Sequence, residues 1–170
     1  NKDYEKAKKI NYFETKNLID VIIEEKKSIN WFFFASSSHV YNFKNKKILL
    51  KESSITNPFS KYGYTKLLAE RYIKSKLGKL NIPYCIGRIF SIIDPQQSKS
   101  FFFPSVLNRV KSAKGKIYFK NLGHIRDFLT LYDITEAIFH LYKKKCKGIF
   151  NIASGKELSL ISIVNQLCKI

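Results

Sequence analysis

Methionine is absent from this 170-residue chain, cysteine appears three times, and no apolar run nears the ~20 residues that a membrane-spanning helix needs. Phe32-Phe33-Phe34 and Phe101-Phe102-Phe103 are short, with polar residues within two positions on at least one side, so a soluble protein with no membrane partner is expected. With no Met and no signal-like stretch, Asn1-Lys2-Asp3 reads as the edge of a fragment or of a processed chain. Cys85, Cys146 and Cys168 form no Cys-x-x-Cys pair and no metal-like spacing with His39, His124 or His140. Free thiols in a reducing compartment, the cytoplasm, follow from that usage, and no metal site is expected.

Arginine is scarce too. Of 31 basic residues only Arg71, Arg88, Arg109 and Arg126 are Arg, which leaves 27 Lys against 13 acidic residues and a net charge of +18. A nucleic-acid surface gathers its basic residues on one face, often with Arg for phosphate or base forks. Here Lys runs along the whole chain beside abundant Asn, Ile, Phe and Tyr, the pattern of an AT-rich genome. A solvated basic surface is expected, with nonspecific attraction to polyanions at low salt and no specific nucleic-acid partner.

The length suffices for a sizeable core. Residues 4–27 place Ala7, Ile10, Phe13, Leu18, Ile19, Val21, Ile22 and Ile23 at helix-like spacing, which predicts one long amphipathic helix. Residues 30–35 and 81–90 read as buried strands, with a helix from Tyr62 to about Leu77 between them. Pro104 is expected to open a short helix to about Ser112, and Lys116–Phe119 is a candidate short strand. Residues 125–132 read as extended. Asp133-Ile134-Thr135-Glu136 has capping-box form and should start a helix through Tyr142. Residues 148–153 are a third strand, and Ser159 caps a last helix, Leu160–Cys168. Helices alternating with apolar strands imply crossover units and a doubly wound α/β sheet.

The stretch that carries chemistry is Ser60-Lys61-Tyr62-Gly63-Tyr64-Thr65-Lys66. Tyr62 and Lys66, four apart on a helix, project from one face. A neighbouring ammonium favours the phenolate, so Lys66 is expected to lower the pKa of Tyr62. Taken alone, Tyr-x-x-x-Lys arises by chance on a Lys-rich helix. Ser36-Ser37-Ser38, however, ends a buried strand, and open α/β sheets bind ligands at strand carboxyl ends. Ser37 could then orient, Tyr62 transfer a proton and Lys66 tune it.

With these residues the chain resembles the extended short-chain dehydrogenase/reductase family, the NAD-dependent nucleotide-sugar epimerases, dehydratases and reductases. Asn11–Leu18 is similar to that family's Asn-x-x-Gly-Thr-x-x-Leu helix, with Glu14 in place of Gly. Phe34–Tyr41 resembles its catalytic-Ser strand end, and Glu52 and Pro58 fall where the family has a Glu and a Pro. Arg88–Pro95 resembles the turn at the nicotinamide and sugar site. Gly123–Phe128 with Asp133-Ile134 resembles the Arg-Asp-(Phe/Tyr)-x-x-Val-x-Asp element, and Gly148–Gly155 the strand returning to the sheet. The resemblance implies a partial Rossmann-type doubly wound parallel sheet with a smaller α/β substrate-binding region. It divides the chain into residues 1–92 and 133–153 for the Rossmann part, 93–132 for the substrate-binding region, and 154–170 for the start of a further substrate portion.

By the same resemblance Ser37, Tyr62 and Lys66 are the catalytic set. Asn11, Ala35, Ser36, Tyr62, Lys66 and Ile89 would line NAD or NADP. Ser38, His39, Ser91, Phe103 and Arg126 would line a nucleotide sugar, Arg126 at its diphosphate. The family's Gly-x-x-Gly-x-x-Gly loop, which seats the cofactor pyrophosphate, is missing from the sequence. The chain is therefore expected to be the middle and later part of an enzyme and to bind NAD(P) poorly by itself. Family dehydratases carry Thr-Asp-Glu where Ser37-Ser38-His39 stands, so 4,6-dehydration is disfavoured. A nucleotide-sugar epimerase or 4-keto-sugar reductase is the expected activity, with His39 a possible extra acid/base group. A basic nucleic-acid module and a catalytically idle scaffold are the rival readings. Family habit implies a homodimer in which the helices at 4–27 and 60–77 pair across a two-fold.

Overall fold

The computed structural model describes residues 2–25, 29–42 and 49–169. The expected end of the first helix at residue 27 and part of the Lys/Asn-rich loop, residues 43–48, lie outside these. From the start, α1 (Lys2–Lys8) passes through a π-helical turn, Lys9–Phe13, into α2 (Glu14–Glu24). Next come β1 (Phe32–Ser37), a 3-10 turn (Ser38–Val40), α3 (Lys61–Lys79) and β2 (Tyr84–Ile89). β3 (Ser91–Ile92), α4 (Phe102–Lys111), β4 (Ile125–Arg126) and β5 (Phe128–Leu129) follow. The chain closes with α5 (Leu131–Lys143), β6 (Gly148–Ile152), β7 (Leu158–Ser159) and α6 (Leu160–Leu167).

Two compact units result, residues 1–90 with 136–152, and residues 91–135 with 153–170. In the first, three parallel strands lie in the order β1-β2-β6, with Phe34 beside Ile86, Ile86 beside Ile149, and Ser37 beside Ile89 at the carboxyl ends. Side chains alternate across a strand, and each face has its own partner. Phe34 and Ile86 pack with Ile19 of α2 and Ala69, Ile73 and Leu77 of α3. Burying side chains as completely as Ile73 and Leu77 contributes about 1.5–3 kcal/mol each. On the other face Phe33 stacks on Trp31, whose ring meets Tyr142 of α5 edge to face. The Trp31 indole N–H donates to the Cys146 carbonyl at 2.7 Å. Helices on both faces of a parallel sheet make the unit a doubly wound α/β fold.

The second unit holds two small pairings, β3 with β5 in parallel and β4 with β7 antiparallel. Its core is Val106 of α4 against Leu160, Ile163, Val164 and Leu167 of α6. Ser159 caps α6 as expected, accepting from the Ser162 N–H at 3.2 Å.

Three local expectations are corrected. The first helix is not regular. At the π turn the Glu14 N–H reaches back five residues to the Lys9 carbonyl, and the Thr15 hydroxyl donates to the Asn11 carbonyl at 3.0 Å. Lys116–Phe119 is not a strand: the Arg109 guanidinium lies 4.4 Å from the Phe119 ring centre and donates to the Tyr118 carbonyl. α5 starts two residues before Asp133. Thr130 caps it, exchanging bonds with Asp133 as the Asp133 N–H donates to Thr130 Oγ1 and the Asp133 carboxylate accepts from the Thr130 N–H and hydroxyl. The reciprocal pair thus lies one turn earlier than the sequence pattern placed it.

Among the described residues no helix is long and apolar enough to cross a membrane. All three cysteines are free thiols.

Candidate active site

The carboxyl end of β1 and the first turns of α3 meet in the first unit. Ser60 has extended backbone and accepts from the Gly63 N–H at 2.9 Å, which fixes where α3 begins. Gly63 then passes the 3-10 turn so closely that a Cβ on it would stand 2.1 Å from the His39 carbonyl oxygen. That approach brings Tyr62 to the strand end. Its hydroxyl lies near enough to the Ser37 side chain for that neighbour to lower its pKa, and its ring stands 5.9 Å from the His39 ring, nearly perpendicular. Ser37 accepts from the His39 N–H at 3.2 Å, which orients its hydroxyl at the strand end.

One turn on, Lys66 Nζ donates to the Ala35 carbonyl at 3.0 Å and lies 5.9 Å from the Tyr62 ring centre. Desolvation lowers the Lys66 pKa, because burial disfavours the ammonium. Tyr62 keeps 43 % of its surface exposed, yet desolvation of its hydroxyl still raises its pKa and outweighs the lowering influence of the Ser37 side chain. The expected depression of Tyr62 by Lys66 is therefore not what this geometry produces: the ammonium faces the Ala35 carbonyl and the phenol stays protonated at neutral pH.

Beneath Ser37, Tyr62 and Lys66 lies a buried polar network. The Glu70 carboxylate, one turn beyond Lys66, accepts from the Ser36 hydroxyl and from Arg88 Nε and Nη2, the last at 2.7 Å. Arg88 Nη1 donates to the Tyr41 hydroxyl at 2.9 Å and to the Glu52 carbonyl at 3.2 Å. Tyr41 passes the chain on to Asn151 Oδ1 at 2.7 Å, and the Asn151 N–H donates to the Glu52 carboxylate. Arg88 and Glu70 are each about 96 % buried at the side chain. The sequence marks Arg88 as a residue of the sugar-site turn; the structure puts its guanidinium in the core instead. Glu70 was missed, and its one sequence signal is a carboxylate in step with Tyr62 and Lys66 on the face that meets the sheet.

Ser37, Ser38, His39, Tyr62, Lys66, Ala35, Ser36, Asn11 and Ile89 belong to the first unit; Ser91, Phe103 and Arg126 belong to the second. Ala35 is exposed within an otherwise largely shielded strand, Ser38 is buried, and Ile89 is half-buried at the end of β2. Ser36 gives its hydroxyl to Glu70, and Asn11 gives its amide to Thr65 Oγ1 at 3.1 Å. Both side chains are engaged inside the fold. Ser91 opens β3, whose N–H donates to the Asp127 carbonyl. Phe103 packs on the core formed by α4 and α6. Arg126 is exposed on β4. Asp127 beside it binds the Ser154 N–H and hydroxyl and the Gly155 N–H, closing the loop after β6.

Comparison with known proteins matches this arrangement to one family. UDP-glucuronic acid 4-epimerase from Bacillus cereus, solved with UDP-glucuronic acid and NAD, superposes with a TM-score of 0.83 at 25% identity over 94% of this chain and 50% of that one. RMD from Pseudomonas aeruginosa, complexed with NADPH, gives 0.89 at 23% identity, covering 99% of this chain and 58% of that chain. dTDP-glucose 4,6-dehydratase from Bacillus anthracis gives 0.82 at 20% over 94% and 51%. The last two likenesses speak to the fold alone, and the chain spans about half the length of each of these structures. The sequence profile of the NAD dependent epimerase/dehydratase family covers residues 1–153. On that match and that fold, the chain belongs to the NAD dependent epimerase/dehydratase family.

Proposed function

We propose that the protein carrying this chain is an NAD(P)-dependent nucleotide-sugar epimerase or 4-keto-sugar reductase, with Ser37, Tyr62 and Lys66 as its proton relay. The observation that carries the reading is the placing of Tyr62 beside Ser37 and the His39 ring at a strand's carboxyl end, with 43 % of its surface open to solvent. A phenol so placed can give a proton to a sugar carbonyl oxygen, or take one from a sugar hydroxyl, with Ser37 bonding the same oxygen. Protonated at neutral pH, Tyr62 is ready to donate, the direction a keto-sugar reduction needs. The neutral Ser37-Ser38 pair offers no carboxylate for eliminating water, which favours these reactions over 4,6-dehydration.

The residues fit one end of a nicotinamide cofactor. Lys66 is a half-buried ammonium bonded to a single backbone carbonyl, with further N–H groups to offer, and Ala35 leaves open backbone beside it. Lys66, Tyr62, Ala35 and Ile89 would hold the cofactor's nicotinamide-ribose end, and the bound cofactor would supply or take the hydride. No Gly-x-x-Gly-x-x-Gly loop is present for its pyrophosphate. Arg126, exposed on β4, is the group that would meet a nucleotide diphosphate, because its fork suits phosphate oxygens. Ile10, Leu18 and Val21 keep about half their surface open on the π turn and α2, and a second copy's helices would cover them in a homodimer.

The test is Tyr62→Phe in the full protein. Turnover of a nucleotide sugar with NAD(P) should fall at least ~100-fold, the usual share of a positioned acid/base group, with cofactor affinity nearly unchanged. Retained turnover would remove Tyr62 from the mechanism.

A further inference from the structure

The relay's members come from two elements, Ser37 from β1 and Tyr62 and Lys66 from α3, and their mutual geometry needs something directional to set it. The apolar contacts of Phe34 and Ile86 with Ala69 and Ile73 press α3 onto the sheet, but such contacts hold no unique angle or slide. Glu70 does. It lies one turn past Lys66 on the same helix face and takes the hydroxyl of Ser36, the residue next to Ser37. Arg88 fixes Glu70 from β2 through two guanidinium nitrogens and uses the third to hold Tyr41, and through it Asn151 of β6. One buried guanidinium therefore ties β1, β2, β6 and α3 at the end of the sheet where the relay stands.

Stability gives no sufficient reason for such a pair, since a buried ion pair seldom outperforms apolar residues of similar volume; fixing one register is its best-attested use. We infer that Glu70 and Arg88 are positioning residues, whose bonds to Ser36 and Tyr41 set the distance at which Ser37 meets Tyr62. This rests on the reading of Ser37 and Tyr62 as relay partners and deepens it.

The test reads the contact directly, in the full protein, by following Tyr62 ionisation with carbon-13-labelled tyrosine in NMR, the resonance assigned through Tyr62→Phe. With Glu70 and Arg88 present, Ser37→Ala should raise the Tyr62 midpoint, because the neighbouring Ser37 side chain lowers it. In the Glu70→Leu/Arg88→Met background, which removes both charges and keeps the volume filled, Ser37→Ala should no longer move Tyr62. An equal shift in both backgrounds overturns the proposal. Should the double variant fail to fold by circular dichroism, Arg88→Lys serves instead. It keeps a charge opposite Glu70 but cannot reach Tyr41 as well, and an undiminished Ser37→Ala shift there overturns the proposal equally. Turnover is not part of the readout. Loss of the coupling in a protein inert toward nucleotide sugars would uphold the positioning role and defeat the proposed reaction, and the converse pattern would do the reverse.

Discussion

The α-carbon of Gly63 and the carbonyl oxygen of His39 are so close that no side chain fits between them: an added Cβ would lie 2.1 Å from that oxygen and 3.1 Å from Pro58 Cβ. The obstacle is backbone, which cannot swing aside as a side-chain end would. Gly63→Ala should therefore lower unfolding free energy by about 1–3 kcal/mol, the usual cost of overpacking, seen as a lower denaturant midpoint. In the full protein it should also cut kcat, since α3 must back away from the strand end that carries Ser37.

Tyr41 is fully buried and its hydroxyl bridges Arg88 and Asn151. Tyr41→Phe keeps the ring but leaves a guanidinium N–H and an amide oxygen without that partner. Buried groups left so cost about 1–3 kcal/mol, and urea unfolding should show a loss of that size. An unchanged midpoint would mean that water or a neighbour takes the hydroxyl's place.

Lys66 should carry a pH signature. Its folded pKa is lowered by burial, so below that value the folded state holds a disfavoured charge, and the penalty vanishes once pH passes the unfolded value of about 10.4. Wild-type stability should therefore rise relative to Lys66→Met as pH climbs from neutrality toward that value. A stability difference that stays flat over this window would show that the ammonium is well solvated in the folded protein. Cofactor-dependent turnover in the full protein should be lost with Lys66→Met.

At the head of α5, Thr130→Ala removes the cap and should cost about 1 kcal/mol. The partner side of the pair titrates. Hydrogen bonds from Thr130 lower the Asp133 pKa, so its contribution is complete above the ordinary carboxylate value of about 3.9 and is lost as pH falls through the lower folded one. Acid unfolding of wild type and Asp133→Asn should converge at the acid end. Curves that stay apart there would assign the stability to something other than the carboxylate.

Local signals pointed to the proposed relay. Tyr62 and Lys66 are four residues apart on one helix, and Ser37 follows an apolar strand, so short-range spacing carried both. The sheet was readable for the same reason, as apolar runs at 30–35, 81–90 and 148–153 became β1, β2 and β6. Glu70 and Arg88 were a different matter. Their partners lie 34 residues away at Ser36 and 47 away at Tyr41, and no periodicity in one segment reports a hydrogen bond to another. The π turn escaped because a reading at 3.6 residues per turn assumes the regularity that Lys9–Phe13 breaks. Asp133 misled because Asp133-Ile134-Thr135-Glu136 has the form of a cap, while the bonds that cap α5 run between Thr130 and Asp133.

The chain's single tryptophan gives the molecule a built-in optical probe. Trp31 sits in the first unit, stacked on Phe33, edge-on to Tyr142 and bonded through its indole N–H to Cys146. Its emission reports the junction of β1, α5 and the loop before β6, and the second unit holds no indole to confuse the signal. Tryptophan fluorescence followed beside far-ultraviolet circular dichroism, which sees the helices of both units, can then tell whether the two melt together or in turn.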